Sequence, residues 1–361
     1  MKRVLVIKLR HHGDVLLTSP VFKSIKAAFP DCIVDALVYQ DTKPMLDKNP
    51  YIDNIYTIDK KWKALGIKTH LKYELDLLKQ LKLNRYDTSL HLTESYRGMW
   101  INWFCDIPQG VTPQHRKRDK NKLWKKFFQH RYPVVPLRHT VEKHLDSLRC
   151  IGIQPNQEDR KLGIYNIDTS FLEELYSHGQ LTKEDDYILV HPTSRWLFKC
   201  WDEEKVARTI NHLAKDGYNI VLSAAPDKKE MQMIEKIKQH IKWPIIDASG
   251  QLTLSQLTGL IANAKLLFGV DSVPMHIAAA TQTPSVCLFG PSGDKEWGPW
   301  MTKSTVLTSP YHHCRPCGKD GCAGSKISDC ITSISERTVL EAIYNYLDIQ
   351  NVEVSDYPPA I

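Results

Sequence analysis

Short apolar runs alternate along this chain with longer stretches whose apolar residues return every three or four positions. The first run, Val4-Leu5-Val6-Ile7, is too short for a helix and reads as a buried strand. A helix is expected to begin near Asp14 or, one turn later, at Thr18-Ser19-Pro20, where an N-cap residue precedes proline. Gly13 is read as the turn between strand and helix. Residues 32–38, 54–58 and 88–92 follow as strands. Residues 70–83 form a helix with Leu71, Leu75, Leu78 and Leu81 along its turns. Residues 95–104 read as a helix whose Tyr96, Trp100, Trp103 and Phe104 are expected to pack into the core. A helix over 139–150 is closed by Gly152, and the polar stretch 154–160, with Pro155, suits a connection between domains.

A second alternation begins with a strand at 187–190. Helices over 202–215, 227–240, 254–263 and 274–280 interleave with strands at 219–222, 245–246, 266–270 and 285–288. A helix near 335–347 closes the pattern. Strand and helix alternating in two blocks predict an α/β protein with two doubly wound parallel sheets. The expected domains are residues 1–165 and 180–334, and the C-terminal helix, 335–361, is free to pack back on the first.

The 361 residues are 42% apolar and 25% charged, enough for two domains with real cores. No run approaches the ~18 consecutive apolar residues of a membrane span. Residues 1–3 lead into a strand rather than a signal sequence, so a cytoplasmic protein is expected. The formal charge of +7 points to an anionic partner. In residues 115–131, Lys117, Arg118, Lys120, Lys122, Lys125 and Lys126 are interleaved with Trp124, Phe127 and Phe128. Two readings stay open for this segment: its aromatics reach a membrane interface, or they pack inward beneath a solvated face. No nucleic-acid-binding motif accompanies it, and nucleic acid is not expected as a partner. Of nine cysteines, five are scattered, and Cys314, Cys317, Cys322 and Cys330 cluster at a spacing too wide for an ordinary zinc ribbon. Reduced thiols are expected there.

Chemistry gathers where predicted strands end, which is where open α/β sheets bind ligands. Asp14 follows the first strand, where a lone aspartate serves either as a helix cap or as a catalytic carboxylate. No Gly-x-Gly-x-x-Gly follows any strand, so a nicotinamide dehydrogenase is not expected. Residues 191–201 bring Thr193, Ser194, Arg195 and Lys199 together between a strand and a helix, a set that suits a diphosphate. In residues 269–276, Asp271 and Ser272 precede a helix that opens with Pro274, and its amino end favours an anion. Phe289-Gly290-Pro291-Ser292 forms a turn-rich loop near the same edge.

Three motifs in order, Lys8-x4-Gly13-Asp14-x5-Pro20, Asp271-Ser272-x3-His276 and Leu288-Phe289-Gly290-Pro291-Ser292, resemble the ADP-heptose:lipopolysaccharide heptosyltransferases over nearly the whole chain. Within that family the Asp271-Ser272-Val273-Pro274-Met275-His276 variant and the cysteine-rich tail look most like the branch that adds the branching heptose, heptosyltransferase III. The resemblance implies the GT-B arrangement of two Rossmann-like domains facing across a cleft. It implies inverting transfer from ADP-L-glycero-β-D-manno-heptose to the lipopolysaccharide inner core on lipid A, without metal or other cofactor. Asp14 falls on the general base and Lys199 on the lysine near the donor phosphates. Asp271, Ser272 and His276 fall on the diphosphate-binding helix turn, Thr193 and Ser194 on the hydroxyl pair, Glu230 on the ribose-holding acid, and Leu252 beside adenine. Lys8, Arg10 and His11, with Lys120, Lys122 and Lys125, are assigned to the acceptor, which implies peripheral contact with the cytoplasmic face of the inner membrane. Heptosyltransferase I or II, or a non-catalytic nucleotide-sugar-binding protein, are the alternative readings. Two departures stand out: Val273 replaces the family's usual glycine, and one extra residue separates Ser194 from Lys199.

Overall fold

Apolar runs with no polar alternation become the central strands of two parallel sheets, because helices cover both of their faces. The computed structural model describes residues 1–93 and 95–347. The chain divides into two compact units, Met1–Asn166 and Ile167–Ile361.

In the first unit β1 (Arg3–Lys8), α1 (His12–Leu16), α2 (Ser19–Ala28), β2 (Ile33–Tyr39), β3 (Asn54–Ile58) and α3 (Ile67–Leu83) lead to β4 (Thr88–His91). Then come α4 (Tyr96–Phe104), β5 (Gln109–Pro113), α5 (Lys122–Phe127), β6 (His130–Tyr132) and α6 (Thr140–Arg149). The six strands are ordered β3-β2-β1-β4-β5-β6, all parallel. Right-handed crossovers place α1, α2 and α6 over one face, and α3, α4 and α5 over the other. Accordingly α2 touches α6, and α4 touches both α3 and α5.

In the second unit α7 (Ser170–Ser177), β7 (Tyr187–His191), α8 (Glu203–Lys215), β8 (Asn219–Leu222), α9 (Lys228–Gln239) and β9 (Ile246–Asp247) come first. They are followed by α10 (Leu254–Asn263), β10 (Leu266–Val270), α11 (Val273–Thr281), β11 (Ser285–Leu288), α12 (Asp294–Trp297), β12 (Ser304–Leu307), α13 (Asp329–Thr332) and α14 (Glu336–Tyr344). The strand order, β12-β11-β10-β7-β8-β9, repeats that of the first unit. Asp202 caps α8, Asp227 caps α9, and a Thr253–Gln256 capping box starts α10. At Gly269 a Cβ would lie 2.7 Å from the His191 carbonyl, so only glycine lets β10 approach β7 this closely.

Several elements differ from the sequence reading. Both helix starts near Asp14 are used, one for α1 and one for α2, and Gly13 lies inside α1 rather than in a turn. Thr18 does not cap α2; its hydroxyl donates to the Val15 carbonyl. Residues 167–179 go with the second unit, where they supply α7. α14 packs in the core of the second unit through Val339, Leu340 and Ile343, and Arg208 of α8 holds Glu336 at 2.7 Å. Residues 348–361 of the expected helix lie outside the described residues. In α4 the buried positions are Gly98, Met99, Ile101 and Asn102. Tyr96, Trp100 and Trp103 fall on the opposite stripe and are exposed, contrary to the expected core packing.

Candidate active site

Each sheet reverses its direction of strand addition once, between β1 and β4 and between β7 and β10. Such a switch point leaves a crevice beyond the carboxyl ends of the strands. At the first one, Lys8 ends β1 and Leu92 follows β4. Lys8 Nζ donates to the Leu92 carbonyl and to His144 Nε2, each at 3.0 Å. It also lies 3.6 Å from Asp14 Oδ1. His144, from α6, donates through Nδ1 to the Leu17 carbonyl at 3.0 Å, which leaves Nε2 to accept from the lysine. Burial, helped by the Lys8 charge, pushes His144 well below the ordinary histidine range and keeps it neutral. The Asp14 side chain remains 19% exposed. The result is a carboxylate braced from the protein side by a buried ammonium and open to a ligand on the other. Lys8, assigned from sequence to the acceptor, is buried in this brace, whereas Arg10 and His11 are exposed in the loop before α1.

At the second switch point Lys199, from the loop after β7, meets Asp271, from the end of β10, at 2.6 Å. Both side chains are largely buried, and Lys199 Nζ lies 5.2 Å from the Trp196 ring centroid. Thr193 is buried and donates to Glu230 Oε2 at 2.7 Å. Burial raises the Glu230 carboxyl above its usual range, and the Thr193 hydroxyl works against that shift. Ser194 is buried in the same loop, with the Trp196 N–H 3.5 Å from its hydroxyl. Ser272 is the N-cap residue of α11, and its hydroxyl donates to the Val270 carbonyl at 3.3 Å. His276 is buried on α11, and Leu252 is half-buried on the loop between β9 and α10. The structure thus joins Lys199 to Asp271 and Thr193 to Glu230, two pairings that sequence spacing did not indicate.

A family model, glycosyltransferase family 9 (heptosyltransferase), matches residues 75–328. The chain belongs to the family 9 glycosyltransferases. A lipopolysaccharide heptosyltransferase 3 of Escherichia coli K12 is 34% identical over 298 residues, covering 81% of this chain and 83% of that one. Among solved structures, a family 9 glycosyltransferase from Veillonella parvula superposes with a TM-score of 0.81 at 24% identity, covering 96% of this chain and 97% of the other. The E. coli heptosyltransferase WaaC with ADP gives 0.73 at 16% identity, covering 95% and 99%. These likenesses establish the fold as GT-B, with two Rossmann-like domains.

In this family 9 chain the basic segment is built differently from one of its two sequence readings. Trp124 and Phe128 are fully buried, packed on Met99 with ring centroids 4.4 Å apart, so they do not reach an interface. The Arg118 guanidinium lies over the Trp124 and Tyr96 rings, at 5.4 and 5.0 Å. Lys120, Lys122, Lys125 and Lys126 are exposed. Cys314, Cys317 and Cys322 are exposed free thiols, Cys330 is buried, and no group of three or more His, Cys, Asp or Glu among the described residues is arranged to hold a metal ion.

Three buried histidines make the fold acid-sensitive. Burial pushes His91 and His191 from the ordinary 6.5 down to about 4, and His144 moves the same way. In the unfolded chain all three return to the ordinary value. Their contribution is therefore complete above about 6.5 and is lost as pH falls toward 4. Glu230, raised in the fold, acts in the opposite sense as pH rises past its ordinary 4.5. Urea midpoints are expected to fall steeply between pH 6.5 and 4.5, by up to ~4 kcal/mol of stability per pH unit if all three protonate on unfolding. A flat profile would show that these imidazoles charge within the native state.

Proposed function

We propose that this chain transfers L-glycero-D-manno-heptose from ADP-L-glycero-β-D-manno-heptose to the lipopolysaccharide inner core, adding a branching heptose with inversion. The observation that carries this reading is Asp14, partly exposed and braced by Lys8 at the first switch point. The name of its E. coli relative, lipopolysaccharide heptosyltransferase 3, supports the acceptor class. Asp14 takes the proton of the acceptor hydroxyl as that oxygen bonds to the anomeric carbon. The bond from that carbon to the diphosphate breaks at the same time, and ADP leaves with the electron pair. Lys199 and the amino end of α11 stabilise the charge that develops on ADP. Ser194 and Ser272 add hydroxyl donors, and Glu230 with Thr193 holds the ribose end. The acceptor is anchored by lipid A, so the enzyme works at the cytoplasmic face of the inner membrane.

The test is ADP-heptose with a panel of truncated cores, read by mass spectrometry, with and without EDTA. A core that carries inner-core heptoses but lacks the branch is expected to gain one heptose, and to do so in EDTA. Transfer only to a heptose-free core would reassign the acceptor. Failure to consume the donor with every core would overturn the reading.

A further inference from the structure

We propose that the surface formed by α3 and α4 docks the protein on an anionic phospholipid bilayer. This rests on the acceptor being lipid-anchored and assigns the face that meets the membrane. α3 runs for 17 residues yet buries only Leu77 and Leu81. Its amino half carries Ile67, Leu71 and Leu75 one turn apart, and the first two are 87% and 58% exposed. Beside it α4 presents Trp100 and Trp103, each 55% exposed, with ring centroids 5.6 Å apart. Arg97 of α4 and Glu74 of α3 join the helices at 2.9 Å. Trp100, Leu77 and Leu78 border a cavity of about 280 Å³ between them. Exposed apolar side chains gathered on two adjacent helices mark a site of association.

Charge identifies the occupant. The first unit carries 30 Lys and Arg against 17 Asp and Glu, a net +13, while the second is net −6. Lys63, Lys68 and Lys72 are exposed on α3 and its lead-in, and Lys122, Lys125 and Lys126 are exposed on α5, the other neighbour of α4. Apolar and tryptophan side chains flanked by lysines are the make-up of an element that lies in the headgroup layer. Topology supplies the second argument. α3 and α4 start beyond the carboxyl ends of β3 and β4, the sheet edge at which Asp14 stands. A bilayer met there presents a lipid-held saccharide along the edge that carries the base. With Trp124 and Phe128 buried, the basic segment contributes its lysines to this surface and keeps those two rings out of it.

The experiment uses the full chain with vesicles of phosphatidylcholine alone or mixed with phosphatidylglycerol. One variant combines Ile67→Ser, Leu71→Ser and Trp100→Ser; the other combines Lys63→Gln, Lys68→Gln and Lys72→Gln. All six side chains are exposed, so both variants are expected to fold. Wild type should sediment with the anionic vesicles only. In low salt the lysine variant should bind roughly 100-fold more weakly, and the apolar variant at least about tenfold. Transfer to lipid A-anchored acceptor in vesicles should fall in both, and transfer to a deacylated, water-soluble acceptor should not change. Vesicle binding by both variants at the wild-type level would overturn the assignment. So would a dimer, seen by sedimentation without vesicle binding, that the apolar variant abolishes, because the face would then belong to a second copy. Absence of wild-type transfer to the soluble acceptor would instead sink the proposed activity and leave the docking result standing.

Discussion

Replacing Asp14 by Asn is expected to lower kcat by about 10²–10⁴-fold, the usual cost of losing a general base. Affinity for ADP-heptose should stay at the wild-type level. The substitution keeps the shape of the side chain and removes only its ability to take a proton. Lys8 would lose its ion pair but keep the Leu92 carbonyl and His144 Nε2. The brace should therefore persist, and the unfolding midpoint should change little. Donor affinity from calorimetry and single-turnover transfer rates separate the two effects. Turnover near wild type would remove Asp14 from the role of base, and loss of donor binding would show that it acts in the nucleotide site instead.

Lys199→Ala is the second large effect. It removes the cation expected to meet the leaving diphosphate, and it leaves Asp271, whose side chain is 7% exposed, without its 2.6 Å partner. Removing one stabilising donor from a developing negative charge costs about 10²–10³-fold in rate. Here the uncompensated Asp271 carboxylate adds repulsion toward the diphosphate and lowers stability as well. The double variant Lys199→Ala/Asp271→Asn isolates the first contribution. It should regain stability and part of the donor affinity, while kcat stays depressed. If Lys199→Ala binds ADP as wild type does, the lysine has no part in holding the diphosphate.

Most of the fold can be read from apolar runs, because parallel strands buried on both faces leave a pattern that only a buried strand explains. β1, β7 and β10 are examples. β5, β6 and β12 escape that reading: they are only three to five residues long, and neither β6 nor β12 is a fully apolar run. The aromatic residues of α4 are misread, and those of α5 left open, for one reason. Composition says that they are apolar, but which side of the helix faces the sheet depends on neighbours distant in sequence. Trp124 turns inward onto Met99, and Trp100 and Trp103 turn outward. Asp14, Lys199 and Asp271 stand out because they follow strands. His144 does not, since it comes from the middle of α6, 130 residues after Asp14. Its one signal is its place beside Val141, Leu145 and Leu148 on the buried stripe of that helix, where a histidine needs a partner.

In the donor site proposed above, the ion pair between Lys199 and Asp271 also bears on which anions gain entry. A bare cationic pocket would fill with the inorganic phosphate that surrounds it. Here the ammonium is already matched by a carboxylate on the neighbouring strand end, so a small anion gains little by arriving and meets Asp271 when it does. Only a ligand that brings further contacts of its own, as a nucleotide does through its ribose and base, offsets the cost of prying the pair apart. The pairing turns an electrostatic trap into a filter, and millimolar phosphate should compete poorly with the sugar nucleotide.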